Sequence, residues 1–481
     1  MKNSARSTQL GFSTMIGLSL ALAAPAIYAQ SASASASASA AASCPTKDWA
    51  SKVLPTFSQP KALVPVKAPQ SFCEFHQTTY ESFVWATTMI NGVPRFLTLK
   101  TSDELLTPLP KAKKANGITL NLASRNHKPS AGQSEGAGAI VEADGNMLVG
   151  PNGYPIYASV HMNDSYFKTA QNNLIANGGY QKNTDNFKVG AAVFKATWLR
   201  LGNGVSAPAG SFVTTANVPV LVNNNGVVQP NGEQTTQVQV ALLGLHVVEL
   251  TKEHPEFLWG TFEQKLNAPM LPDGTFNPAN SNPNNFTLYT ANTLYGQSNI
   301  PSLSNSSAPQ NSGTFNATTQ TFSPIVNVVQ NNATGGDTSG TVPIVNSAGQ
   351  QYLTSQKSVF ANYVMIGTVW FAPNAFVMPA ATSMGAAQGV GSVNLANSTA
   401  ETFAQAPQNM FGQPVNNCFS CHNTNSYTFN KPALSARLVA TSHTLAQGAP
   451  TYAVPNQVLV PLPSPSSASA SASASTPAPK K

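Results

Sequence analysis

Thr236–Leu250 reads TQVQVALLGLHVVEL, and the reading of this run decides the fold. Val238, Val240, Leu242, Gly244 and His246 share one face by the period-two rule, and apolar residues also fill the other face. A strand that is apolar on both sides needs cover on both, so the run belongs deep in a β-rich core. His246 is the exception on its face, an imidazole among aliphatic side chains with Gly244 leaving room beside it. A satisfied core histidine is the commonest outcome for such a residue; ligation or proton transfer is the alternative.

Strand and turn signals continue outward in both directions. Ala139–Ala143, Met147–Val149 and Pro155–Val160 are short runs separated by Asp144-Gly145 and Pro151-Asn152-Gly153, a meander of hairpins. Pro219–Val222 and Gly226–Gln229 flank an Asn-rich turn and predict another hairpin. Phe83–Met89 and Tyr363–Phe371 read as further strands, carrying Trp85 and Trp370. Helical signals are fewer. Asp164 caps a helix through Ala176, stopped by Gly178-Gly179, and Ser398-x-x-Glu401 forms a capping box for a short helix ending before Pro407. Leu271–Gln350 is rich in Asn, Ser, Thr, Gly and Pro and reads as long surface loops or an insertion. The expected fold is mainly β with a few short helices. A large, sandwich-like β-rich body spans 44–379, and an irregular C-terminal segment spans 380–461.

The ends of the chain point to export. Lys2 and Arg6, an apolar run over Ile16–Ala24 and Ala26-Ile27-Tyr28-Ala29 make residues 1–29 a signal peptide. Its apolar stretch is shorter than a span needs, and no later one qualifies, so no membrane span is expected after cleavage. Residues 30–43 form an Ala/Ser linker and 462–481 an Ala/Ser/Pro tail, compositions that cannot offset their own ordering entropy. Of the net +7, Lys2, Arg6, Lys480 and Lys481 supply four charges, leaving a weak balance over the body with no basic cluster. That argues against a nucleic-acid partner. Charged residues make up 9% of the chain, so Asn, Ser and Thr do most of the solvating, which suits an exported β-rich protein.

Chemistry enters with Cys418-Phe419-Ser420-Cys421-His422, the C-x-x-C-H pattern of c-type haem attachment. Cys418 and Cys421 would bond the two vinyl groups of one covalent haem c, and His422 would be its proximal iron ligand. A disulfide or a zinc site on these cysteines is disfavoured, because no second cysteine pair completes a metal set. Cys44 and Cys73 remain, and in an oxidising compartment they are candidates for a disulfide worth roughly 3 kcal/mol. Haem attachment and export together point to the periplasm, with release or surface display as further options. A distal ligand is hard to find. No Met follows His422, so the layout of small soluble cytochromes does not apply. Candidates are His246, His443 and Met410, then Met378 and Met384, while His254 before Pro255 reads as a surface turn residue. No nucleotide loop, Ser/His/Asp arrangement or metalloprotease helix suggests another chemistry.

Leu243–Val248, the H-P-E-F-L-W-G-T-F-E run over His254–Glu263, Leu395–Thr402 and Asn417–His422 together resemble a family of exported bacterial cytochrome c-like proteins of unassigned function, with a single C-terminal C-x-x-C-H. The resemblance runs from about Phe83 to His422, with the Asn-rich region as its main departure. It implies covalent haem and export and carries no substrate; Trp259 and Glu263 could line the haem pocket. The expected function is that of an exported monohaem c-type cytochrome passing electrons to a redox partner protein. The alternative is a haem-dependent oxidoreductase of the peroxidase or oxygen-using type with an open distal site. There His246 would be the candidate catalytic acid–base, and whether the chain is an enzyme stays open.

Overall fold

The computed structural model describes residues 44–106, 120–122, 147–176, 187–225, 227–300, 314–372, 388–405, 417–420, 422 and 458–459. In chain order the main elements are helix α1 (Phe72–Thr87), strands β1 (Lys100–Thr101) and β2 (Tyr157–Met162), helix α2 (Asp164–Ala176), strands β3 (Ala192–Arg200), β4 (Val213–Asn224), β5 (Val227–Thr251) and β6 (His254–Gln264), helix α3 (Val342–Ser355), and strands β7 (Tyr363–Phe371) and β8 (Gly389–Gly391). The chain is mainly β, with few helices and a large antiparallel sheet.

Thr236–Leu250 lies within β5, a strand of 25 residues. The main path of one sheet follows the order β8-β7-β6-β5-β3-β2-β1 with every pair along it antiparallel, while Leu120–Asn121 adds a short parallel pair beside β4. Because β5 outruns its neighbours, two partners succeed each other along one edge: β6 beside 244–251 and β4 beside 227–241. β3 holds the opposite edge across that junction, pairing with 240–249. The hairpin expected near Asn224 is present: Asn224 pairs with Val227, and Asn225 takes a φ of +53° in the turn.

A β-bulge interrupts β5. Its register with β3 slips between Thr197 and Trp198, so Thr197 faces Gly244 while Trp198 faces Leu242, and Leu243 is the extra residue. The period-two face therefore does not run through. Val240 and Leu242 pack in one core with Leu245 and Val247, whereas Gly244 and His246 turn to the other side of the sheet. One inserted residue reverses which side chains point where. Thus the aliphatic face assigned to His246 is corrected to a polar one.

Helices α1 and α3 cover the first side. Phe83 stacks on Phe262 with ring centroids 3.9 Å apart, and Tyr80 meets the same ring edge-on at 5.4 Å. Gly349 lets α3 close on α1, since a Cβ there would stand 2.2 Å from the Tyr80 ring. The strand expected over Phe83–Met89 is therefore a correction. Phe83–Thr87 end α1, and Met89 begins a two-residue strand with Ile90. Phe75 through Thr87 are all buried, so no polar stripe marks the helical period, and aromatic and β-branched residues mimic a strand. Its start is marked locally, by the Ser71 hydroxyl accepting from the Glu74 N–H at 3.3 Å. A disulfide joins Cys44 to Cys73, Cα–Cα 5.3 Å, and ties the preceding stretch to the first turn of α1.

Other expectations resolve segment by segment. α2 and β7 occupy the ranges read for them, but the cap of α2 is Asn163, whose Oδ1 accepts from Tyr166 N–H at 2.9 Å, and Asp164 is the first helical residue. Pro155–Val160 carries the start of β2, while Met147–Val149 contributes an isolated bridge between Val149 and Pro155. The described residues of 271–350 are largely turns with a short hairpin (Thr314–Asn316 with Thr321–Ser323), but α3 begins inside the stretch, against the expectation of loops alone. The capping-box helix at Ser398 is replaced by a series of turns. Ala139–Ala143, residues 1–43 and the tail beyond 459 lie outside the described residues. Among the described residues no helix is long and apolar enough to cross a membrane.

Candidate functional site

The second side of the sheet carries the C-x-x-C-H motif. Cys418–Ser420 form a single 3-10 turn. The Asn417 carboxamide accepts from Phe419 N–H at 3.0 Å and donates to the Val393 carbonyl at 3.0 Å, and His422 N–H donates to the Cys418 carbonyl at 2.8 Å. Phe419 is fully buried, with its ring 4.1 Å from Phe371 and 6.1 Å from Trp259. The His422 ring lies 4.4 Å from the Trp259 ring at an interplanar angle of 34°. Cys418 and His422 are half-buried. A thiol and an imidazole thus sit at the accessible rim of an aromatic bed, and this donor set suits a covalently held porphyrin. Cys421, Met410, His443, Met378 and Met384 lie outside the described residues.

Leu395–Gln405 form a strap that precedes the motif and crosses the same side of the sheet. Gly244 makes room for it: a Cβ there would stand 2.8 Å from Asn397 Nδ2 and 2.9 Å from Thr399 Oγ1. Asn397 Nδ2 donates to Thr261 Oγ1 at 2.7 Å, and the Thr197 and Thr399 hydroxyls meet at 2.6 Å. The cap falls one residue earlier than the sequence suggested. Asn397 Oδ1 accepts from Thr399 N–H at 2.8 Å, and Glu401 reaches back to accept from Asn397 N–H at 3.0 Å. Ser398 instead faces the sheet, donating its N–H to Glu263 Oε1 at 2.7 Å and its hydroxyl to Oε2.

Beside the strap stands a titratable cluster drawn from three elements. His246 Nε2 on β5 lies 3.0 Å from Glu401 Oε1, and Lys195 Nζ on β3 lies 3.7 Å from the same oxygen. Burial pushes the Glu401 carboxyl up, but His246, Lys195 and the Asn397 N–H outweigh it and hold the group well below the ordinary carboxylate range. Glu263, fully buried on β6, goes the other way. Burial pushes it up to about 7 against the opposing hydrogen bonds from Ser398. Two carboxyls of opposite tuning thus share one region. Thr261 opposes His246 and Trp259 opposes Val248, so the cluster and the aromatic bed are neighbours on the sheet, about 7 Å apart along β6.

The H-P-E-F-L-W-G-T-F-E run acquires contacts throughout. The Glu256 carbonyl accepts from Trp259 Nε1 at 3.0 Å, while the Glu256 carboxylate accepts from Phe371 N–H at 3.2 Å and lies 3.0 Å from His254 Nδ1. His254 meets Phe75 edge-on at 4.7 Å and sits in the hairpin after β5, away from the motif. Trp259 and Glu263 do lie on the motif side, Trp259 against His422 and Glu263 beneath the strap.

Sequence reasoning missed Lys195 and Glu401 as partners of His246, because the three meet only through tertiary pairing. It also missed buried groups on the helical side. His76 lies 3.6 Å from Asp337, and Glu81 takes Trp49 Nε1 at 2.8 Å and Lys67 Nζ at 2.7 Å. Glu249 accepts from Ser82. The available signal was an acidic residue within Val247-Val248-Glu249-Leu250, in a chain so poor in charge. No family model, curated protein or solved structure matches this chain.

Proposed function

We propose that the chain is an exported monohaem c-type cytochrome that exchanges electrons with a redox partner protein. The observation that carries this reading is the motif itself: a half-buried Cys418 and His422 on one short turn, anchored by Phe419 against Trp259 and Phe371. Cys418 and Cys421 would hold the porphyrin, and His422 would bind its iron, which supplies a one-electron couple. Phe419 fixes the motif to the sheet, and the Leu395–Gln405 strap leads the chain to it across β5 and β6. Attachment in the periplasm fits the N-terminal signal pattern and the Cys44–Cys73 disulfide, with release or surface display as alternatives. The test is haem-dependent peroxidase staining after denaturing electrophoresis, with a pyridine haemochrome assay for stoichiometry. One haem should stay with the wild-type polypeptide and none with C418S/C421S. A wild-type chain without haem, in a host whose attachment machinery works, defeats the reading.

A second reading, a haem-dependent oxidoreductase, is favoured by the neighbouring His246, Glu401, Lys195 and Glu263. A carboxylate held ionised beside an imidazole, and a second carboxyl tuned near neutrality, are the parts of an acid–base relay. Spin state separates the two. A wholly low-spin ferric protein indifferent to peroxide and carbon monoxide removes the catalytic alternative.

A further inference from the structure

We propose that Trp259 is the positioning residue for His422: its indole fixes the plane of the imidazole and favours the oxidised state of the iron that His422 would bind. The inference rests on the haem reading above. The indole is itself held. Its Nε1 donates to the Glu256 carbonyl at 3.0 Å, Phe257 lies edge-on at 6.4 Å, and Phe419 at 6.1 Å. Glu256 is anchored in turn, by Phe371 N–H on β7. Against this fixed ring the His422 imidazole lies at 4.4 Å with a tilt of 34°, a tilted contact closer to face-on than to edge-on. Rotation of the imidazole about its Cβ–Cγ bond toward the indole is blocked by this contact, so β6 takes part in setting the ring plane.

The contact also has an electrostatic sign. An imidazole bound to ferric iron carries more positive charge than one bound to ferrous iron, and the indole face is negative. Trp259 therefore stabilises the oxidised member of the couple, and losing the indole favours uptake of the electron delivered by the partner.

The test uses the full holoprotein. Haem content of the wild type is read first, and its absence sinks the cytochrome reading rather than this inference. With wild type loaded, W259L should retain haem, because Cys418 and Cys421 are untouched. Its midpoint potential should rise by the equivalent of about threefold in the ferric/ferrous equilibrium constant, about 28 mV for one electron. The magnetic signature of the proximal imidazole should broaden as its plane is released. W259F, which keeps a ring face, should restore most of both. A loaded W259L with wild-type potential and spectrum overturns the proposal. Should W259L fail to accumulate, nuclear Overhauser contacts between the Trp259 indole and the His422 ring decide the matter in ferrous wild-type holoprotein: their presence upholds the inference and their absence overturns it.

Discussion

Glu401 Oε1 lies 3.0 Å from His246 Nε2, and this contact ties the segment that leads to the C-x-x-C-H motif to the longest strand of the sheet. With Lys195 on the adjacent strand it forms the main charged junction between strap and sheet.

Glu401 makes that junction sensitive to acid. Its carboxyl is held below the ordinary value of 4.5 in the folded protein. A depressed folded pKa contributes stability that is present above the unfolded pKa and lost as pH falls through the folded one. Urea unfolding of the wild type should therefore show a loss of stability below about pH 4.5 in which this group takes part. E401Q should cost about 1–3 kcal/mol at pH 7 and flatten that component. An E401Q protein with wild-type stability at pH 7 and an unchanged acid profile would contradict this role.

Glu263 should act with the opposite sign. Its folded pKa is raised, from 4.5 to about 7, so its contribution is present below the unfolded value and lost as pH rises through about 7. E263Q keeps the shape and can still accept the Ser398 N–H. Relative to wild type it should gain on the order of 2–3 kcal/mol between pH 5 and pH 8. Paired urea titrations at those two pH values check it; a difference that does not change with pH counts against the assignment.

Gly244 is the point where the strap meets the backbone of β5. G244A would bring a methyl group 2.8 Å from Asn397 Nδ2, 2.9 Å from Thr399 Oγ1 and 3.0 Å from Thr197 Oγ1. We expect a cost of about 1–3 kcal/mol and faster proteolysis within the strap. Limited proteolysis with mass mapping reads the second effect. Unchanged cleavage would mean that the strap does not depend on this close approach.

These residues also show how far sequence reasoning reaches. The burial of Thr236–Leu250 follows from its apolar content, and β7 and the span of α2 are announced by composition, although the cap of α2 is Asn163 and not Asp164. A bulge at Leu243 carries no comparable mark, yet it decides which side of the sheet receives His246. Nor could pattern alone find α1, whose buried faces erase the helical period, or bring Lys195, His246 and Glu401 together from 195, 246 and 401. Cys418-x-x-Cys421-His422 was legible because its chemistry is local in sequence. What surrounds it is assembled by long-range pairing and so was not.

The Cys44–Cys73 disulfide closes a loop with a sequence separation of 29 residues. Loop-closure entropy gives it about 3–4 kcal/mol. C44S/C73S should lower the urea midpoint accordingly, and a reducing agent should do the same to the wild type alone. Equal midpoints in all samples would show that the bridge adds nothing to folding.

A porphyrin bonded through sulfur to Cys418 and Cys421, with His422 on its iron, would be read from intact mass spectrometry of the exported, processed polypeptide. The expected mass is that of the chain plus one haem, surviving denaturation and absent from C418S/C421S. A processed wild-type chain carrying no added mass, from cells that load another c-type cytochrome in the same culture, would contradict it.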